Sequence, residues 1–205
     1  MDAQTLQRNL GGVDLLFVET AHFRIASSLG TYRIPNDRDE RAKLEGEKKR
    51  LKKALGRLKA PKRELDPWLR LHLYAQRAED EYAAFLAEFG IAEGDSPRKF
   101  LLVLCQRKSE FGRYVQHYHD STVEESFRLG RSGEASVVAA NQEALAEAWG
   151  GQLELPLDTI LHNVISSQLT ASFLEGHGAS ESPAPNWFLI GLVHSHCRRI
   201  DPRWN

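Results

Sequence analysis

Residues 66–90 carry a helix signal that is closed at both ends. Asp66 is a side chain that caps free backbone N–H groups, and Pro67 fits the first turn. Leu71, Ala75, Ala78, Tyr82, Phe85 and Phe89 follow at helical spacing, and Gly90 is a natural stop. A helix of this length with one apolar face cannot stand alone in water. It requires a partner layer, and the flanking segments supply candidates.

Asp14 to Ser27 reads as extended structure, with Leu15, Phe17, His22, Phe23 and Ile25 among β-formers. A loop from Gly30 to Arg38 holds Pro35, Asn36 and Asp37. Phe100 to Cys105 is a short continuous apolar run, which predicts a buried strand. Ser109 to His117 reads as helix, and Ala135 to Ala140 as another strand. Gly150, Gly151 and Pro156 mark a break. A helix is then expected from about Asp158 to Glu175, a loop from Gly176 to Pro185, and a last helix from about Asn186 to Arg198. The order is strand, helix, strand, helix, strand, helix, helix. It predicts an α+β fold in which a small mixed sheet packs on helices, within a single domain spanning residues 1–205.

Charge is unevenly spread. The whole chain of 205 residues has a formal net charge of −1. Arg41 to Arg63 holds eleven Lys/Arg and two Glu, a net +9 that leaves −10 for the remainder. Leu44, Leu51, Leu55 and Leu58 give this segment one narrow apolar stripe, and Pro61 is expected to end the helix. It reads as a basic helical insertion with a solvated face. An anion-binding or nucleic-acid-binding face is the alternative, weakened by the absence of interleaved aromatics. The two cysteines, Cys105 and Cys197, form no C-x-x-C pair, which excludes a cysteine-rich zinc module, and nothing supports a disulfide between them. No apolar run approaches the ~20 residues of a bilayer span, and Met1 to Gly12 is polar, unlike a signal peptide. The expectation is a cytoplasmic chain as written, or an exported one if it is a fragment of a longer precursor truncated at its ends.

Two C-terminal segments point to chemistry: Leu161-His162-Asn163-Val164-Ile165-Ser166, and Pro185-Asn186-Trp187-Phe188-Leu189-Ile190-Gly191-Leu192-Val193. Together with Val18–Gly30, Leu73–Gly90 and Lys99–Cys105, they resemble the gluzincin-type zinc metallopeptidases, and more closely a family of bacterial peptidase-like domains. The resemblance runs from about Val18 to Cys197, and the basic segment lies outside it. It implies a zincin-like scaffold with two active-site-type helices. In that site, H-E-x-x-H on one helix supplies two zinc-binding His and a general-base Glu, and a Glu on the next helix is the third ligand.

Carried over residue by residue, the catalytic set is degenerate. His162 matches the first ligand, Asn163 the base, Ser166 the second ligand and Ile190 the third. Asn lacks a basic carboxylate, Ser is a poor zinc ligand, and Ile offers only hydrocarbon. His162, Ser166, Leu169 and Phe173 share one helical face. His194 lies four residues after Ile190. With His162 and either His177 or Cys197 it would make a relocated zinc or copper site. Otherwise His194 is a hydrogen-bonded polar residue facing His162 and Ser166. Ser166 or Ser195 beside a histidine has no G-x-S-x-G elbow to make it a nucleophile. Arg113 to His119 reads as a helix end beside the cleft. The expected function is a catalytically inactive pseudopeptidase without a cofactor, which binds a peptide or protein partner through His162, Ser166, Trp187 and His194. An active metal-dependent hydrolase built around His162 and His194 is the alternative.

Overall fold

The computed structural model describes residues 3–56, 61–92, 99–129, 136–179 and 184–204. A short helix, α1 (Ala3–Asn9), leads to an antiparallel hairpin of β1 (Leu16–Glu19) and β2 (Phe23–Ser27). The expected loop after it contains β3 (Tyr32–Arg33), which pairs with β4 (Glu64–Leu65), and between them runs α2 (Arg38–Leu55). Asp37 caps α2 by accepting the Glu40 N–H at 2.8 Å. The helix ends at Gly56, whose φ of 73° lies in the left-handed region, and so stops short of Pro61. Leu58 lies outside the described residues.

The α3 helix (Pro67–Phe89) follows its sequence signals closely. Asp66 Oδ1 accepts the Leu69 N–H at 2.7 Å, and Gly90 closes the helix at φ 64°. Two sides of α3 are buried. Tyr74, Ala78, Tyr82 and Phe85 face the sheet and the later helices, whereas Leu69 and Leu73 pack with Leu44 and Leu51 of α2. The basic segment is thus docked by its leucines as well as solvated on its outer face.

Next come β5 (Phe100–Cys105), α4 (Lys108–His119), β6 (Ser126–Leu129), β7 (Val137–Asn141), α5 (Gln142–Trp149), α6 (Leu157–Leu174) and α7 (Asn186–Ile200). The expected loop after α6 begins instead with a wide helical turn over Glu175–Ala179. Residues 180–183 and Ala135 lie outside the described residues.

Five strands form one sheet in the order β1-β2-β5-β7-β6. Its inner pairs, β2 with β5 and β5 with β7, are parallel, and both edge strands are antiparallel to their neighbours. The architecture is mixed α and β. Helices cover both faces, which explains why β5 is apolar throughout rather than alternating. Phe100, Leu102 and Leu104 pack towards α3 and α6, and Val103 and Cys105 towards α1 and α4. Phe173 of α6 stands at the centre of the larger core. Its ring centroid lies 5.0 Å from those of Tyr82 and Phe100, and 5.3 Å from that of Phe85. Among the described residues, no helix is long and apolar enough to cross a membrane.

Candidate functional site

The face of α6 that carries His162 and Ser166 is a real structural face, and it lies against α3. Asp158 Oδ1 accepts from the Tyr74 hydroxyl at 3.0 Å. One turn on, the His162 ring meets the Tyr74 ring edge-on at 6.5 Å. A further turn on, Ser166 Oγ donates to Glu81 Oε1 at 2.8 Å. Phe173 then enters the aromatic core. The stripe therefore runs from ionic to apolar along the same pair of helices.

Its ionic end is a buried network. Arg77 donates through Nε and Nη2 to Glu47 at 3.0 and 2.7 Å, and through Nη2 to Asp158 at 2.7 Å. The Arg77 guanidinium also lies over the Tyr74 ring at 4.8 Å. Arg70 approaches Asp158 at 3.9 Å and donates to the Gly30 carbonyl and the Gln142 side chain. Lys43 reaches Thr159 Oγ1 at 2.5 Å and Glu40 at 2.7 Å. Burial opposes ionisation of Asp158, but Arg77, Lys43 and Arg70 together hold its carboxyl well below the usual range. Glu40 moves the other way, raised by burial and by the charge on Asp158.

Beside this network a polar cleft of about 320 Å³ opens between α2, α3, α6 and the end of α7. Lys43, Glu47, Arg77, Glu81, His162 and Arg199 are among its walls. The His162 side chain is partly buried, and its Nδ1 is wholly buried with no hydrogen-bond partner. Burial, then Arg77 and Lys43, hold the imidazole far below its ordinary pKa of 6.5, so it is neutral at pH 7.

The α7 helix turns His196 and Cys197 inward, of which the sequence suggested only Cys197. His196, 1% exposed, donates from Nδ1 to Glu81 Oε1 at 2.5 Å and from Nε2 to Glu88 Oε2 at 3.1 Å. Both ring nitrogens meet carboxylates, which favours the imidazolium. Burial works against the charge, but Glu81 and Glu88 raise the pKa overall. Cys197 Sγ donates to the Asn163 carbonyl at 3.4 Å, and burial pushes that thiol up to about 12. Both cysteines are free.

Several expectations need correction. His194 is exposed and does not line the cleft that holds His162. The inward histidine of α7 is His196. Ile190 and Trp187 are 67% and 75% exposed, so neither faces the cleft. Asn163 is fully buried and donates to the Thr159 carbonyl within its own helix at 2.9 Å. His177 bonds the Tyr82 hydroxyl at 2.9 Å, beside the aromatic core at the far end of α6. The Arg113–His119 stretch packs with α1 on the opposite face of the sheet, where Arg113 donates to the Leu10 carbonyl.

Ser166 is held by Glu81, Asn163 is turned into its own helix backbone, and Ile190 faces solvent. Among the described residues, no group of three or more His, Cys, Asp or Glu is placed to hold a metal ion.

Sequence reasoning missed Arg70, Arg77, Glu81, Glu88 and His196. A signal for four of them existed. Arg70, Arg77, Tyr74, Glu81 and Glu88 recur at seven-residue spacings along α3, a polar stripe beside the apolar one. Compared with known proteins, the chain matches no family model, no curated protein and no solved structure.

Proposed function

We propose that the chain is a non-catalytic, zincin-like domain that binds a peptide segment at the cleft beside His162. One observation carries this reading. The Asn163 amide nitrogen and the Ser166 hydroxyl are committed to internal hydrogen bonds and neither residue lines the cleft, whereas their neighbour His162 lines it and keeps an unpartnered nitrogen. A neutral imidazole without a carboxylate base or further metal donors cannot generate hydroxide. It remains suited to hydrogen bonding with a bound chain. The packing of α6 on α7 and the mixed sheet behind them are compatible with a peptidase-derived scaffold.

The test uses the purified protein, dialysed against equimolar zinc and then freed of loose metal. Expected are sub-stoichiometric zinc by mass spectrometry, no cleavage of a fluorogenic peptide library, and measurable affinity for some of its members. One zinc per chain together with hydrolysis that disappears in His162→Ala would overturn the proposal. So would a library that yields no binder.

A further inference from the structure

We infer that the cleft beside His162 is a carboxylate-binding site, an inference that rests on this cleft being the ligand site proposed above but not on the ligand being a peptide. Unpaired polar atoms, most of them donors, gather in and beside the cleft. Among the described residues, seven buried side-chain atoms lack a hydrogen-bond partner, and five of them belong to this cluster: Tyr32 Oη, Glu40 Oε1, Arg70 Nε, Arg77 Nη1 and His162 Nδ1. Buried polar groups left unpaired are costly, so such clustering marks a place where a partner belongs.

Each carboxylate around the cleft, by contrast, already accepts from at least one donor. Glu47 and Asp158 take Arg77, Asp80 takes Arg50, and Glu81 takes Ser166 and His196. Arg77 and His162 both line the cleft, and each keeps a buried nitrogen free. Arg77 is itself only 4% exposed. Lys43 and Arg199 add positive charge at the rim. Glu40 Oε1, an unpaired acceptor in the adjoining network, has a raised proton affinity and becomes a donor when protonated.

Lys43, Arg50, Arg77 and Arg199 line the cleft against Glu47, Asp80 and Glu81, an excess of positive charge. A carboxylate would take the Arg77 Nη1 proton and an imidazole N–H in charge-assisted bonds. The cleft volume is at the small end of ligand pockets, enough for a carboxylate on a short chain.

Two sources share this chemistry: the C-terminus of a peptide and a free small carboxylate. Isothermal titration and the His162 ring ¹⁵N resonances of the intact protein would follow three probes: N-acetylated tetrapeptides as free acids, the same peptides as C-terminal amides, and succinate with propionate. The expected result is that free acids bind at least tenfold tighter than amides and shift the His162 signals. His162→Leu should abolish that preference and Lys43→Gln weaken it. Binding of the small carboxylates alone would uphold this inference while removing the peptide reading. Equal binding of acids and amides would uphold the peptide reading while overturning this inference. Silence from every probe overturns it as well. The resonance titration needs no variant, so it decides the matter even if a substitution fails to fold.

Discussion

The two ends of the α3–α6 contact are built on opposite principles. At one end Tyr82, Phe85, Phe100 and Phe173 bury rings against one another. At the other, Arg77, Asp158, Glu47 and Tyr74 bury charge and hydrogen bonds. The aromatic end gains stability roughly in proportion to area, and partial loss costs partial stability. The ionic end stabilises only when complete. Removing one member leaves its partners charged and dry, which costs more than the intact pair contributed. A fold that keeps such a cluster beside an open cleft has given up easy stability for placed donors.

Breaking the ionic end should therefore have the larger effect. Asp158→Ala leaves Arg77 and Arg70 without their shared counter-ion and is expected to cost about 3–5 kcal/mol in urea unfolding. A cost under ~1 kcal/mol would mean that the network is not formed in solution. Phe173→Leu trims the aromatic end and should cost about 1.5 kcal/mol. If it exceeds Asp158→Ala, the contrast between the ends is inverted.

The two inward histidines sharpen the comparison because their signs differ. The folded-state pKa of His162 is depressed, so its contribution is present above the unfolded value, about 6.5, and is lost as pH falls. His196 has a raised folded pKa. Its contribution is present below about 6.5 and is lost as pH rises through the folded value. Stability measured from pH 5 to 8 should lose its acid-side slope in His162→Leu and its alkaline-side slope in His196→Gln. Identical slopes in both variants would contradict the assignment. The smallest effect belongs to Ser166→Ala. Glu81 keeps His196 and Thr170 as donors there, so about 1 kcal/mol is expected.

Much of the fold was legible because local signals agreed with tertiary demands. Asp66, Pro67 and Gly90 bounded α3 correctly, and the apolar run of β5 announced a strand covered on both faces. Elements without such signals went unread. β6 is a short edge strand of half-buried residues, and α5 starts immediately after β7 with Asn141 as its cap.

The basic segment was legible in its leucine stripe but not in its other inward contacts. Its charge count was dominated by outward Lys and Arg, whereas the buried residues of α2 are Glu40, Leu44, Glu47, Leu51 and a single lysine, Lys48. The candidate site was half legible. The stripe through His162 and Ser166 follows from helical spacing alone. What it faces does not, because α3 and α6 are about 80 residues apart in sequence. His194 and His196 are two residues apart, roughly 200° around a helix. Orienting α7 by Ile190 therefore turned the wrong histidine inward.

The central claim is that the α6 stripe is closed by Glu81 and His196, which leaves His162 alone at the cleft. Histidine-selective ¹⁵N spectra at pH 7.5, with and without one equivalent of zinc, test it most directly. Expected are a neutral imidazole for His162, a His196 ring more protonated than a free imidazole at that pH, and neither moved by the metal. A one-to-one zinc complex that shifts both rings together would contradict it.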